Sequence, residues 1–598
     1  MIFVNARMTF TREKAQQPAC THSCVKNFAY IGVLATFRQT ILPFKPANMS
    51  STPRTTAPFG PIALTFSGGG YRAAAFHLGS LSYLHHLGLL TDVEILSTVS
   101  GGSIVGAAYA LSLKADEAFE DFFHRFSGIM LKANLISGAL NKLGQPAPHT
   151  YAAYHNLITA LAATYDEELF HGARMNVLYE GEDIHLKEII FNAVEFKTGV
   201  AFRFLKSEDD QAIPGNHFHP ITTEALKQCR IADVVAASSC FPGMFEPLIF
   251  PNDFHWPQAE VPLALQQKCE DPLPLMDGGI YDNQGIESAM LAIRRQQKLW
   301  HAPDYPGLVI VSDTDQPNQN ICSVPPPEKK PKGLKIRELR WLTYAFGALS
   351  SLSFVFLLLQ LMQRIRHDQI NWLGDSLAFL LPLLLTALIP FGLVWMFRKI
   401  KVLKKLARTQ VPQLDEDDWK SFNKLTIEQL LDMFDLRINS LLAMSSEVFL
   451  RQVRRLMYRD LYEDQTFKGK RVSNMIFETH ANPSTIPWLK SSPKLQAITE
   501  AATYMPTTLW FHHPRELEHL LISGQATLCL NLLDRILLSH GDDPTQYPPA
   551  IRNLFEQAKA DWARFQTDPH WLLKDMGMQP LPADEAPPLP EPQLQQLV

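Results

Sequence analysis

Two stretches of this chain carry no charged side chain: residues 341–363 (WLTYAFGALSSLSFVFLLLQLMQ) and residues 376–397 (SLAFLLPLLLTALIPFGLVWMF). At about 1.5 Å per residue, the second stretch alone makes a helix about 33 Å long, enough to cross a hydrocarbon core of about 30 Å. Pro382 and Pro390 would harm a soluble helix, but a membrane helix tolerates proline where neighbours satisfy the freed carbonyls. Lys329, Lys330, Lys332, Lys335, Arg337 and Arg340 precede the first stretch, and Arg398, Lys399, Lys401, Lys404, Lys405 and Arg408 follow the second. The loop between them offers only Arg364 and Arg366, set against Asp368 and Asp375. This bias predicts a transmembrane hairpin at 341–397 with both flanks on the cytoplasmic side, and hence an integral membrane protein whose bulk is cytoplasmic. A pair of buried helices, or a re-entrant hairpin, fits the same residues.

The rest of the chain bounds the alternatives. Of 598 residues, 46% are hydrophobic, which is too much apolar material for disorder over most of the length. Lys and Arg number 55 against 60 Asp and Glu, so a nucleic-acid partner held by broad positive charge is excluded. Seven cysteines in so long a chain make no disulfide framework and point to a reducing compartment. Cys20 and Cys24 flank His22, but without a second ligand pair they are a weak zinc motif. Residues 28–37 (FAYIGVLATF) have the length of a signal-peptide core, yet no small-residue cleavage site follows and they are too few to span. Met1 and Met49 both stand as candidate starts.

From about residue 60 to 315, apolar strand-like runs alternate with helical stretches, the pattern of a parallel sheet covered by helices. Residues 424–460 read as one long amphipathic helix, 471–479 (RVSNMIFET) as a further strand, and helices follow to about 575. The expected organisation is a poorly ordered extension (1–58), the first part of an α/β domain (59–316), a basic Pro/Lys linker (317–340), the hairpin (341–397), a second linker (398–423), the remainder of the α/β domain with its helices (424–577) and a disordered Pro-rich tail (578–598). The hairpin thus interrupts one domain, a mostly parallel sheet flanked by helices.

Three motifs carry chemistry. Residues 62–66 read as a strand, Gly68, Gly69 and Gly70 as a turn, and a helix follows near Arg72. Three glycines let backbone N–H groups converge where a helix terminus adds positive potential, a nest for an anion. No Gly-Lys-Ser/Thr follows, so this is not a P-loop. Next, the run 95–99 ends in Ser100-Gly101-Gly102-Ser103 and passes into a small-residue helix, the context in which a nucleophilic serine sits on a sharp elbow. Ser100 suits that position better than Ser103, which falls where the helix is already forming. Finally, Asp277 closes another apolar run, with Gly278 and Gly279 behind it. A carboxylate there can take a serine proton directly, without a histidine. Asp282 is a second candidate that reads more naturally as a turn residue.

In this order the motifs resemble the patatin-like phospholipase family: Gly68-Gly69-Gly70-Tyr71-Arg72 for its Gly-Gly-Gly-x-Arg, Thr98-Val99-Ser100-Gly101-Gly102 for Gly-x-Ser-x-Gly, and Asp277-Gly278-Gly279 for Asp-Gly-Gly. The stretch 237–245 (ASSCFPGMF) is similar to the family's Ala-x-Ser-x-x-x-Pro-x-x-Phe. Thr98 departs from the pattern, standing where the family has glycine, although the Ser-Gly-Gly-Ser elbow also resembles that of cytosolic phospholipase A2 relatives. The resemblance implies a serine lipid acyl hydrolase of the phospholipase A or lysophospholipase type, working on a phospholipid or other acyl lipid through an acyl-enzyme. It implies Ser100 as nucleophile and Asp277 as base, a Ser–Asp dyad. It further implies an oxyanion hole at Gly68, Gly69 and Gly70, and Arg72 as a contact for substrate phosphate or a support of the loop. No cofactor and no metal is called for. Rival readings are a Ser-His-Asp esterase drawing on His301, His480, His512, His513 or His540, an acyltransferase, and an inactive membrane scaffold on the same fold.

Overall fold

The computed structural model describes residues 57–143, 156–209, 211–257, 271–316, 336–367 and 443–581, with short stretches at 261–263, 265, 388, 391–392, 398 and 436–441. The expected N-terminal extension, both linkers, the second apolar span and the tail lie largely outside these residues.

The sheet is built from apolar runs. β1 (Ile62–Phe66), β3 (Glu188–Glu195) and β7 (Leu308–Asp313) are buried at every position, and β2 (Val93–Val99) at all but one. Strands covered on both faces need this near-continuous hydrophobicity rather than alternation. With β4 (Val200–Lys206), β5 (Leu248–Phe250), β6 (Leu273–Asp277) and β8 (Arg471–Met475), they form an eight-stranded sheet ordered β5-β6-β3-β2-β1-β7-β8, with β4 on β3. The run 3-2-1-7-8 is parallel. The strand expected at 471–479 forms, though shorter, and pairs with β7 from Val309↔Arg471 to Asp313↔Met475. A strand from beyond the apolar insertion therefore completes the sheet.

The other end of the sheet is antiparallel, a departure from a purely parallel layout. β3 and β4 are joined by a short turn containing Gly199 at φ 69, and a connection that short permits only antiparallel pairing. One edge of β3 then serves two partners. Its first residues pair with β2 as far as Val99↔Asn192, and its last three pair antiparallel with β6, starting at Ala193↔Asp277. Adjacent residues of β3 thus bring the C-terminal ends of β2 and β6 together. This register positions the site.

The helices that matter for the site are α1 (Gly70–His86), α2 (Gly101–Lys114), α3 (Ile231–Ser239), α4 (Ile286–Leu299), α5 (Ile336–Arg366), α6 (Leu450–Glu463) and α7 (Pro514–His540). α1 and α7 cross in the core. A Cβ on Gly79 would lie 2.2 Å from the Leu521 carbonyl oxygen, and one on Gly524 would lie 2.1 Å from that of Phe76, so backbone meets backbone there. α5 and α7 are both long and apolar enough to cross a membrane, but α7 is mostly buried inside the protein, whereas none of the apolar stretch of α5 is. Of the helix expected at 424–460, residues 436–441 and 443 are helical, and a π-helical turn at Met444–Phe449 leads into α6. Cys229, Cys240 and Cys529 are free and buried.

Candidate active site

Ser100 is the single residue between β2 and α2, at φ 51 and ψ −119. A side chain in that region carries strain of about 1–3 kcal/mol, tolerated only where the surroundings impose it. They do so here. The Ser100 N–H donates to the carbonyl and the hydroxyl oxygen of Ser238, at 3.1 and 3.0 Å. The Ser238 hydroxyl in turn donates to the Asn192 carbonyl at 2.6 Å. Asn192 donates to the Ser97 hydroxyl and the Thr98 carbonyl, and accepts from Ser288 on α4. The elbow is therefore gripped from β3, α3 and α4 at once. Ser103 points into this scaffold, with its hydroxyl 3.0 Å from that of Thr98 and 2.8 Å from that of Ser238.

Thr98 is accommodated by a residue further along. Its hydroxyl donates to the Ile190 carbonyl at 3.1 Å, and its methyl occupies the place a side chain at position 106 would need. A Cβ on Gly106 would lie 2.6 Å from Thr98 Cγ2. Gly106→Ala, which in an open helix interior stabilises by about 1 kcal/mol, is instead expected to cost about 1–3 kcal/mol through overpacking. Adding Thr98→Ser should restore most of the loss. Equal thermal unfolding of Gly106→Ala and the native chain would refute this account.

Asp277 ends β6, only 2% exposed, with its own N–H donating to the Cys240 carbonyl at 3.0 Å. Its Oδ1 accepts from the Gly279 N–H at 2.7 Å. Burial pushes the carboxyl up to about 6, opposed by that N–H and by a hydrogen bond from the Ser100 side chain. The structure thus brings Ser100 and Asp277 together, as the register on β3 dictates. Asp282 is used elsewhere, accepting from the N–H groups of Gln284 and Glu287 at the start of α4.

The glycine nest faces the same point, with one correction to its membership. The Gly68 N–H is spent on the Asn283 carbonyl at 3.0 Å, so Gly68 is not a free donor. The Tyr71 N–H is spent on the Thr508 carbonyl at 2.8 Å. Among the described residues, the Gly69 and Gly70 N–H groups have no backbone acceptor. Gly70 has φ 56, and a Cβ there would strike the Thr508 carbonyl oxygen at 2.4 Å, so only glycine fits. Gly101 in turn passes so close that its Cβ would lie 2.2 Å from the Gly70 oxygen, which locks nest to elbow. Arg72 Nη1 donates to the Met505 carbonyl at 2.8 Å, bracing the segment that walls the site.

A cleft of about 420 Å³, open mouth included, lies over Ser100 and Gly70. Its walls are largely apolar: Ile136, Phe241, Met244, Phe245, Leu509 and Trp510, with Ser239, Thr507 and Thr508. Four of the five candidate triad histidines have other partners. His480 Nδ1 lies 3.1 Å from the Thr503 hydroxyl, His512 Nε2 accepts from the Trp510 indole N–H, His513 caps α7, and the rings of His540 and Tyr547 are in contact. His301 is exposed and follows α4. Among the described residues no three His, Cys, Asp or Glu side chains converge as a metal ion requires.

Asn192, Ser238 and Asn283 were not assigned roles from the sequence. Asn192 was the most readable of them, a polar residue within the apolar run of β3.

Residues 64–290 match the model of the family Patatin-like phospholipase. The matched residues contain the glycine nest, Ser100 and Asp277. Among solved structures it is similar to human GIVD cytosolic phospholipase A2 in complex with methyl gamma-linolenyl fluorophosphonate inhibitor and terbium chloride. That match has 16% identity and a TM-score of 0.22, and it covers 37% of this chain and 35% of that one. No curated protein matches the chain.

Proposed function

We propose that this protein is a membrane-anchored serine lipid acyl hydrolase that cleaves acyl esters with a Ser100–Asp277 dyad. The observation that supports this reading most is the meeting of a strained serine and a buried carboxylate in an apolar cleft, beside two backbone N–H groups with no backbone acceptor among the described residues. In the proposed reaction Asp277 takes the Ser100 proton as the oxygen attacks the ester carbonyl. The Gly69 and Gly70 N–H groups hold the oxyanion, each such donor contributing about 3–4 kcal/mol to the transition state. The alcohol leaves with the proton from Asp277. The same carboxylate then activates water against the acyl-enzyme, releasing the fatty acid and restoring the serine. Arg72 supports the loop, since its guanidinium is turned to the Met505 carbonyl.

The anchor is α5 together with the second span of a hairpin. The unburied apolar stretch of α5 supports this part of the reading. So do Leu436, Leu441, Met444 and Phe449, all exposed on the helical segments before α6. Basic flanks set the α/β domain on the cytoplasmic side, and each Lys or Arg close to the surface adds about 1 kcal/mol of attraction to anionic headgroups. Anchorage replaces three-dimensional search by encounter with a substrate dissolved in the same bilayer.

The test is release of fatty acid from vesicles of phosphatidylcholine, vesicles containing lysophosphatidylcholine, and triacylglycerol emulsions, comparing the native chain with Ser100→Ala. Release from any of them that depends on Ser100 is the expected result, and release unaffected by the substitution refutes the dyad. Retention in the membrane pellet after alkaline carbonate is expected of the anchor, and full release refutes it.

A further inference from the structure

We propose that Thr314 is a positioning residue for the oxyanion site, acting through a single peptide plane. This rests on reading Ser100 as the nucleophile and the glycine nest as the oxyanion site. Thr314 follows β7 directly and is 1% exposed. Its hydroxyl donates to the Gly68 carbonyl at 3.0 Å, and its N–H donates to the Ser67 hydroxyl at 3.0 Å. The register of β1 on β7, which ends at Phe66↔Ser312, delivers it there.

The Gly68 carbonyl and the Gly69 N–H belong to one planar trans unit, so their oxygen and hydrogen point to opposite sides. Holding the oxygen fixes the direction of the hydrogen. Gly69 is a glycine at φ 142, free to rotate in isolation, and a Cβ on it would lie 2.8 Å from the Thr314 hydroxyl. Gly68 is therefore clamped at both ends, its N–H by Asn283 and its carbonyl by Thr314. The Gly69 N–H is left aimed by its neighbours before any substrate arrives, the preorganisation that makes an oxyanion donor effective.

Thr314 is itself held from the far side of the apolar insertion. Asp313 and Asp315, on either side of it, are both paired with Arg454 on α6. The Tyr458 hydroxyl, also on α6, donates to Asp313 at 3.1 Å. The nest is thus tied through Thr314 to the helix that follows the insertion.

Thr314→Val keeps the shape and removes the donor. The expected result is a fall in kcat of about ten- to a hundredfold with KM within about twofold of native, a loss below that for deleting an oxyanion donor outright. Labelling of Ser100 by a fluorophosphonate ester should slow in parallel. The midpoint of the pH profile should stay near 6, because Asp277 is untouched. Thr314→Ser, which keeps the hydroxyl, should recover kcat to within about threefold of native. Should Thr314→Val not fold, Thr314→Cys, with its poor donor, takes its place in the comparison. Unchanged kcat in the donor-less variant overturns the positioning role, as does an equal loss in Thr314→Ser. Activity that survives Ser100→Ala overturns instead the reading beneath it, so the two failures are distinct.

Discussion

Ser100→Ala is expected to lower kcat for ester cleavage by about 10⁴–10⁶, to the residue that binding and the oxyanion donors supply alone. The sheet and the cleft should remain intact, because the Ser100 side chain is not used to hold the elbow. The backbone of residue 100 is what Ser238 grips. Ser103→Ala is the informative partner. Ser103 is fully buried between the hydroxyls of Thr98 and Ser238, so its loss should cost about 1–2 kcal/mol of stability and leave kcat within about tenfold of native. Ser100→Gly separates nucleophile from strain. It abolishes catalysis as alanine does, but it also removes the Cβ that φ 51 penalises. It should therefore unfold at higher temperature than Ser100→Ala, by an amount that corresponds to about 1–2 kcal/mol. Release of labelled fatty acid and thermal unfolding of the three variants check all of this. The reverse pattern, with catalysis lost in Ser103→Ala and kept in Ser100→Ala, would reassign the nucleophile.

Those residues also mark where sequence reasoning works. A glycine triplet, a Ser-Gly-Gly elbow and an Asp-Gly-Gly turn are legible because each answers a local backbone demand, a φ or a close approach that other residues cannot meet. The β/α alternation was legible for a similar reason, since strands covered on both faces need continuous apolar runs. What could not be read is pairing. Ser100 and Asp277 meet because β3 changes partner between Asn192 and Ala193, and nothing near either residue announces that register. The Gly68 N–H reads as a free donor in the sequence because its acceptor, the Asn283 carbonyl, is distant along the chain. Thr98 departs from the elbow pattern, and the room for it comes from Gly106, eight residues along the chain. Hydropathy has the same limit. α7 and α5 pass the same test of length and composition, and burial separates them: α7 packs in the core, closely on α1 at Gly524, whereas the apolar stretch of α5 stays uncovered.

Asp277→Asn is expected to move activity and stability in opposite directions, each with a pH dependence fixed by one carboxyl. With Asp277 as the proposed base, activity requires it ionised, so kcat/KM should be level above about pH 6 and fall tenfold per unit as pH drops below it. Asparagine can still accept from the Gly279 N–H but cannot take a proton from Ser100, so kcat should fall by about 10²–10⁴. The cost of the native arrangement lies in burial of the charge. The carboxyl titrates near 6 in the folded protein against 3.8 ordinarily, so the folded state binds its proton more tightly than the unfolded chain. That penalty is absent below about pH 4, develops between about 4 and 6, and is complete above 6, where about two units correspond to about 3 kcal/mol. An uncharged amide escapes it. Asp277→Asn should therefore be more stable than native by about 2–3 kcal/mol at pH 8, with the difference vanishing near pH 4. Denaturant unfolding at the two pH values measures it directly. A variant that loses activity without gaining stability at pH 8 would mean that the Ser100 and Gly279 hydrogen bonds already offset the burial. The carboxylate would then be poised at an ordinary value, and the activity profile should shift down to match.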